Sequence, residues 1–235
     1  MGQVGTNLLG PSGVSTGVRI ARVVFLGFLV LGSLAIAVGS AAYFVEGEVH
    51  PFVLEKGAIA LKQVWMLALR VHVVAAAWCL PACVALFSKR LLRVSPRAHR
   101  WLGRFTCTVI LLALVPSGAW LAFTARGGAP STLGFLLSGA IVAVATVNGV
   151  LRARAGQHAA HRRANAQVLA QLSVAVTSRA LLVLFDTAGF DPERAYVVAL
   201  WVPVVASAWL AHRLMERRRD DEKTVAHRLV LDPGD

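Results

Sequence analysis

The sequence predicts an all-α fold, a polytopic transmembrane bundle of six helices. Three observations carry that prediction: six long apolar stretches, positive charge concentrated in alternate segments between them, and a composition that water would not tolerate. The chain is 57% hydrophobic and 15% charged, with a mean hydropathy of +0.64. A soluble domain of this size cannot bury that much apolar surface.

The apolar stretches cover residues 23–45, 64–87, 105–124, 132–151, 168–185 and 196–210. At about 1.5 Å of rise per residue, roughly 20 helical residues cross a hydrocarbon core of about 30 Å. Each stretch is continuously apolar and lacks the inward-polar, outward-apolar alternation of a membrane strand, so helices are expected and not a barrel. The first span is too long for a secretory h-region and has no small-x-small cleavage site at its end, so it is expected to be retained. Within the spans, Gly27, Gly32, Gly39, Gly118, Gly139, Ala143 and Ala145 are small enough to let helix backbones approach closely. Pro81, Pro116 and Pro203 are candidate helix breaks.

Orientation follows from the basic residues. Arg19 and Arg22 precede the first span, a cluster from Lys89 to Arg104 separates the second and third, and Arg152, Arg154, Arg162 and Arg163 separate the fourth and fifth. A further run from Arg213 to Arg228 follows the sixth. The opposite segments hold Glu46, Glu48, Glu55, Asp186, Asp191 and Glu193, which are all the carboxylates before the C-terminal tail. The positive-inside rule therefore places both termini in the cytoplasm and the chain in a bacterial cytoplasmic (inner) membrane. Residues 1–17 are expected to be a flexible cytoplasmic lead, 18–215 the six-helix domain, and 216–235 a charged cytoplasmic tail.

The net charge of +12 is thereby spread over short loops and forms no single patch, which argues against nucleic acid as a partner. The expected partners are the bilayer, anionic lipid headgroups, and other membrane subunits or further copies of the chain. The three cysteines, Cys79, Cys83 and Cys107, all fall inside spans. A thiolate metal site is geometrically conceivable there, but no acid or histidine stands at a fixed spacing, so small apolar core residues are the preferred reading.

Ionisable groups at membrane depth cost about 2.5–3.5 kcal/mol on insertion scales, so each needs a reason. Arg70 and His72 enter the second span from the acidic side, and Arg179 lies about two turns before Asp186 in the fifth, at similar depth. Arginine can snorkel to the headgroups; histidine is too short, which favours a functional site there. A second group stands at the basic side. His99 ends the loop before the third span in a His-Arg-Trp-Leu-Gly-Arg run at residues 99–104, and His158 and His161 precede the fifth span, with Arg162 and Arg163 following. Two imidazoles from different helices are what bis-histidine ligation of haem b requires, with Arg100 and Arg162 placed to meet propionates. His72, His99 and His161 are accordingly the candidate metal ligands. Trp101 is expected to pack where that site meets the membrane interface.

The stretch 69–184 resembles the bacterial membrane proteins grouped as domain-of-unknown-function family 2306. The resemblance is carried by His72, Cys79-Leu80-Pro81-Ala82, the run His99 to Arg104 with Phe105, Gly134-Phe135, His161-Arg162-Arg163 and Ser178-Arg179. The family's second His-Arg-Arg element usually continues with tryptophan and a further arginine, where this chain has Ala164 and Gln167. The resemblance implies an architecture and candidate residues and does not imply a reaction.

Three functions remain open. One is a redox membrane protein in which His72, His99 and His161 bind haem or a quinone headgroup while Arg70, Arg100, Arg162 and Arg179 supply charge. Another is a small-solute or proton transporter using Arg70, His72, Arg179 and Asp186 as a relay. The third is a non-catalytic subunit or assembly factor of a membrane complex. No phosphate loop, dinucleotide fingerprint, nucleophile motif or paired carboxylate is present, and none of the 12 carboxylates lies well inside a span, leaving histidine as the only evident general base.

Overall fold

The structure, a computed structural model, describes residues 16–45 and 50–231; beyond Leu210 it describes the backbone and, of the side chains, Arg213. Residues 1–15 of the expected lead, Glu46 and Glu48, and the last four residues of the tail lie outside the described residues.

Ten α-helices are described: α1 (Thr16–Gly39), α2 (Pro51–Glu55), α3 (Gln63–Leu86), α4 (Lys89–Val94), α5 (Pro96–Val109), α6 (Val115–Ala122), α7 (Gly128–Arg154), α8 (His158–Leu172), α9 (Val174–Thr187) and α10 (Pro192–Leu231). α5 and α6 are joined without a break by a π-helical turn, Ile110–Leu114, and α8 and α9 meet at Ser173. Six continuous segments are therefore long and apolar enough to cross a membrane: Thr16–Phe44, Gln63–Leu86, Pro96–Ala122, Gly128–Arg154, His158–Thr187 and Pro192–Leu210. Each coincides with an apolar stretch of the sequence, extended at its ends by polar residues that continue the helix. No strand occurs among the described residues.

The outer surface of these segments is apolar. Leu31 (69% exposed), Val38 (75%) and Leu112 (75%) are typical, a belt that hydrocarbon and not water would cover. Inside, α3 is the hub, packing against α1, α5, α6 and α8. Cys79 and Cys83 sit in the main core with Ala75, Ile110, Leu114, Val142, Ala145 and Val168. Both thiols are free, as is that of half-buried Cys107, and the first two serve as small core residues.

Close approach is real at some of the small positions. A Cβ on Gly32 would overlap Val176 of α9, and one on Gly118 would press on His72, whereas Gly27, Gly39 and Gly139 face open space. Polar groups also join the helices. Gln171, 2% exposed, accepts from Ser138 Oγ of α7 at 3.0 Å and donates to the Val204 carbonyl of α10 at 3.2 Å, satisfying an amide that hydrocarbon would penalise.

Of the three prolines, Pro81 and Pro203 lie within continuous helices. Only Pro116 marks an irregularity: it has no N–H to give to the preceding turn and stands two residues past the end of the π turn. At the acidic end α2 forms a cap, its neighbour Lys56 donating to the Thr124 carbonyl at 2.9 Å while Trp65 Nε1 donates to Thr124 Oγ1 at 3.0 Å. α10 runs unbroken to Leu231, well past the apolar part of its sequence.

Candidate functional site

The candidate residues separate into two places in the bundle. His72 and Arg179 lie towards the acidic end; His99 and His161 lie at the basic end.

His72 is nine residues into α3 and Arg179 eight residues before the end of α9, so at about 1.5 Å per residue both sit about 12–14 Å inside their helices. His72 faces the bundle interior against the π turn and α6. Its Nδ1 is 3.2 Å from the Leu114 carbonyl and 3.2 Å from Ser117 Oγ. The serine hydroxyl is itself committed to the Ala113 carbonyl at 2.5 Å. A carbonyl only accepts, so Nδ1 is the donor in the contact with Leu114, and in the neutral ring Nε2 keeps its lone pair. No hydrogen bond to Nε2 occurs among the described residues.

The Arg179 guanidinium lies within charge-interaction range of His72, and of Tyr43 after α1 and Tyr196 on α10. Glu55 and Arg126 lie within charge-interaction range of Tyr196. Arg179 keeps an exposed surface, whereas His72 is partly buried. The Arg179 Nη1 donates to the Ala175 carbonyl at 2.7 Å, one turn deeper in the span. The side chain thus reaches into the membrane and away from Asp186, and among the described residues its guanidinium meets no carboxylate. Snorkelling would have sent it the other way.

Arg70 belongs elsewhere. Two residues before His72 on α3, it points to a different face, donates to the Tyr43 carbonyl at 2.9 Å and lies 5.8 Å from the centre of the Phe44 ring. It fastens the end of α1 to α3 and supplies no charge to the His72 pocket directly. Tyr43 and Tyr196, the only tyrosines in the chain, lie within charge-interaction range of Arg179 and are residues that the sequence reading missed. Their number was the available signal: two amphipathic rings, both at the acidic ends of spans, where tyrosine is enriched.

At the basic end, His99 is not in a loop. Ser95 caps α5 by accepting from Ala98 N, Pro96 begins it, and His99 falls in its first turn. His161 likewise lies in the first turn of α8, and the two imidazoles are near enough for their charges to interact. His158 is exposed at the start of α8.

His161 Nδ1 donates to the Gly149 carbonyl of α7 at 2.8 Å. Its Nε2, left as the acceptor, takes a bond from Asn165 Nδ2 at 3.0 Å. Both ring nitrogens are therefore occupied, and an iron would have to displace the Asn165 amide. As placed, His161 does not fit the part of a haem axial ligand. His99 Nδ1 is buried without a partner, while Arg100, Arg162 and Trp101 turn outward; Trp101 is 69% exposed with Arg104 stacked 5.5 Å over its ring. Among the described residues no three His, Cys, Asp or Glu side chains come together as a metal site.

The fold defines a polytopic α-helical membrane protein that brings His72, Tyr43 and Tyr196 within charge-interaction range of Arg179 towards one end of its bundle. The chain belongs to the family described as predicted membrane protein (DUF2306), whose model matches residues 68–215. The match starts within α3, so it takes in His72, His99, His161, Arg179 and Tyr196 but neither α1 nor Tyr43. No curated protein and no solved structure matches the chain.

Proposed function

We propose that this is a bacterial inner-membrane protein, both termini cytoplasmic, that binds a quinone headgroup in the pocket formed by His72, Arg179, Tyr43 and Tyr196. The observation that carries this reading is the placement of His72, with Nδ1 3.2 Å from the Leu114 carbonyl and no hydrogen bond to Nε2 among the described residues, beside an Arg179 guanidinium that pairs with no described carboxylate. Quinones carry carbonyl oxygens that accept, and their reduced forms carry hydroxyls that donate. Arg179 and the two tyrosine hydroxyls are donors for the first, and His72 Nε2 is an acceptor for the second. The apolar outer surface of the spans suits the lipid-soluble tail.

A small inorganic anion is a poorer fit, since among the described residues Arg179 is the one cation within charge-interaction range of His72, and a neutral imidazole would turn a lone pair towards the anion. The relay of Arg70, His72, Arg179 and Asp186 that a transporter would use has less support, because Arg70 is held on another face and Arg179 reaches away from Asp186. Haem between His99 and His161 has less support for the reason given by the Asn165 bond.

Titration of the purified protein in lipid nanodiscs with a short-chain benzoquinone, followed by tryptophan fluorescence, tests the reading. Saturable binding is expected, weakened at least tenfold, about 1.4 kcal/mol, by His72→Ala and by Arg179→Leu, with thermal midpoints near the parent's. Equal affinity in folded parent and variants would contradict it.

A further inference from the structure

The antiparallel pair α7 and α8 leaves a groove of about 530 Å³ on its lipid-facing side. From the sequence this stretch is only a hairpin with basic residues at its turn. In the structure its composition is graded along its length. Ala140, Ile141 and Val144 form the apolar floor, and Asn148, Arg152 and Arg163 gather at the basic end. The spacing explains the gradient: 141, 144, 148 and 152 recur at three and four residues on α7, and 160, 163, 164 and 167 do so on α8, so each helix contributes one stripe. Small side chains at Ala140, Ala145, Ala160 and Ala164 keep the floor low.

We infer that this groove holds an anionic phospholipid of the leaflet on the basic side, with the phosphate between Arg152 and Arg163 and an acyl chain along Ile141 and Val144. Length, charge and exposure each support it. From Ala140 to Arg152 is about 18 Å of helix at ~1.5 Å per residue, comparable to one leaflet's half of a hydrocarbon core of about 30 Å. No carboxylate lines the groove, and basic pockets between spans are the recognised seats of acidic headgroups. Asn148 and Gln167 add neutral donors, and Arg152 is braced by its 2.6 Å bond to Gln157 Oε1. Val144, 61% exposed, and the exposed Ala140 open the floor to the bilayer. A second copy of the chain packed here in parallel is a worse occupant: every carboxylate ahead of the tail lies at the other end of the bundle, so the arginines would meet no counter-charge from its spans.

The site is independent of the quinone pocket, being on other helices and at the other end. Native mass spectrometry of the full-length protein, released from micelles carrying equal amounts of phosphatidylglycerol and phosphatidylcholine, reads it directly. The parent is expected to retain phosphatidylglycerol at least fivefold over phosphatidylcholine. Arg152→Gln with Arg163→Gln should abolish that preference, and Val144→Trp, which fills the floor and leaves the charges, should lower retention of the lipid while inorganic phosphate fails to compete. Equal retention of the two lipids by the parent, undiminished preference in the double variant, or displacement of the lipid by inorganic phosphate would each overturn the inference, as would mass-resolved dimers in place of lipid adducts.

Discussion

A single imidazole is central to the proposed site, and its surroundings make it testable at the level of one methyl group. A Cβ on Gly118 would stand 2.9 Å from His72 Cε1 and 3.2 Å from Nδ1, so Gly118→Ala forces the ring off the Leu114 carbonyl or moves α6. Overpacking of this kind costs about 1–3 kcal/mol. The thermal midpoint of Gly118→Ala in detergent should fall, and His72→Ala added to it should recover part of the loss; a neutral single variant would mean the two groups are not in contact. The sequence alone pointed to His72 and Arg179, because a charge or an imidazole at membrane depth is expensive wherever it occurs. It did not reveal which nitrogen was free. That depends on Leu114 and Ser117, residues more than 40 positions away whose carbonyl and hydroxyl are presented by a π turn that no local pattern announces.

At the level of helices, the sequence was a good guide to extent and a poor one to irregularity. The spans were visible because hydrocarbon thickness demands a minimum apolar length. The three prolines looked equivalent, yet only Pro116 coincides with altered winding, since Pro81 and Pro203 are accommodated within continuous helices. His99 read as a loop residue because its neighbours are basic; the Ser95-Pro96 start that puts it in α5 is a local signal that was available.

His161 is a structural joint between α7 and α8, with Asn165, four residues on, completing it. Interhelical hydrogen bonds within membranes average about 0.6 kcal/mol and reach about 1.7 kcal/mol, so His161→Leu should lower the unfolding free energy by an amount in that range, and quinone affinity should be unaffected. A loss of quinone binding in a folded His161→Leu protein would show that the two ends are coupled.

Taken whole, the molecule is a membrane bundle with chemically unlike ends, and that asymmetry was plain in the distribution of Arg, Lys, Glu and Asp. The pairing of spans was not, because Gly32 against Val176 or Gln171 against Val204 joins residues on separate spans through shape and hydrogen bonding that hydropathy does not record. Orientation is open to direct test: reporter fusions at Pro51, Gly128 and Pro192 should score periplasmic, and a cytoplasmic score at any of them would reverse the proposed topology.

The central claim is that a quinone headgroup sits beside His72, and photolabelling tests it most directly. An azido-benzoquinone activated in nanodiscs containing the full-length protein should label peptides of α3, α9 and the start of α10, with labelling suppressed by excess unmodified quinone and by Arg179→Leu. Labelling spread evenly over the lipid-facing helices, or concentrated at α5 and α8 near His99, would contradict it.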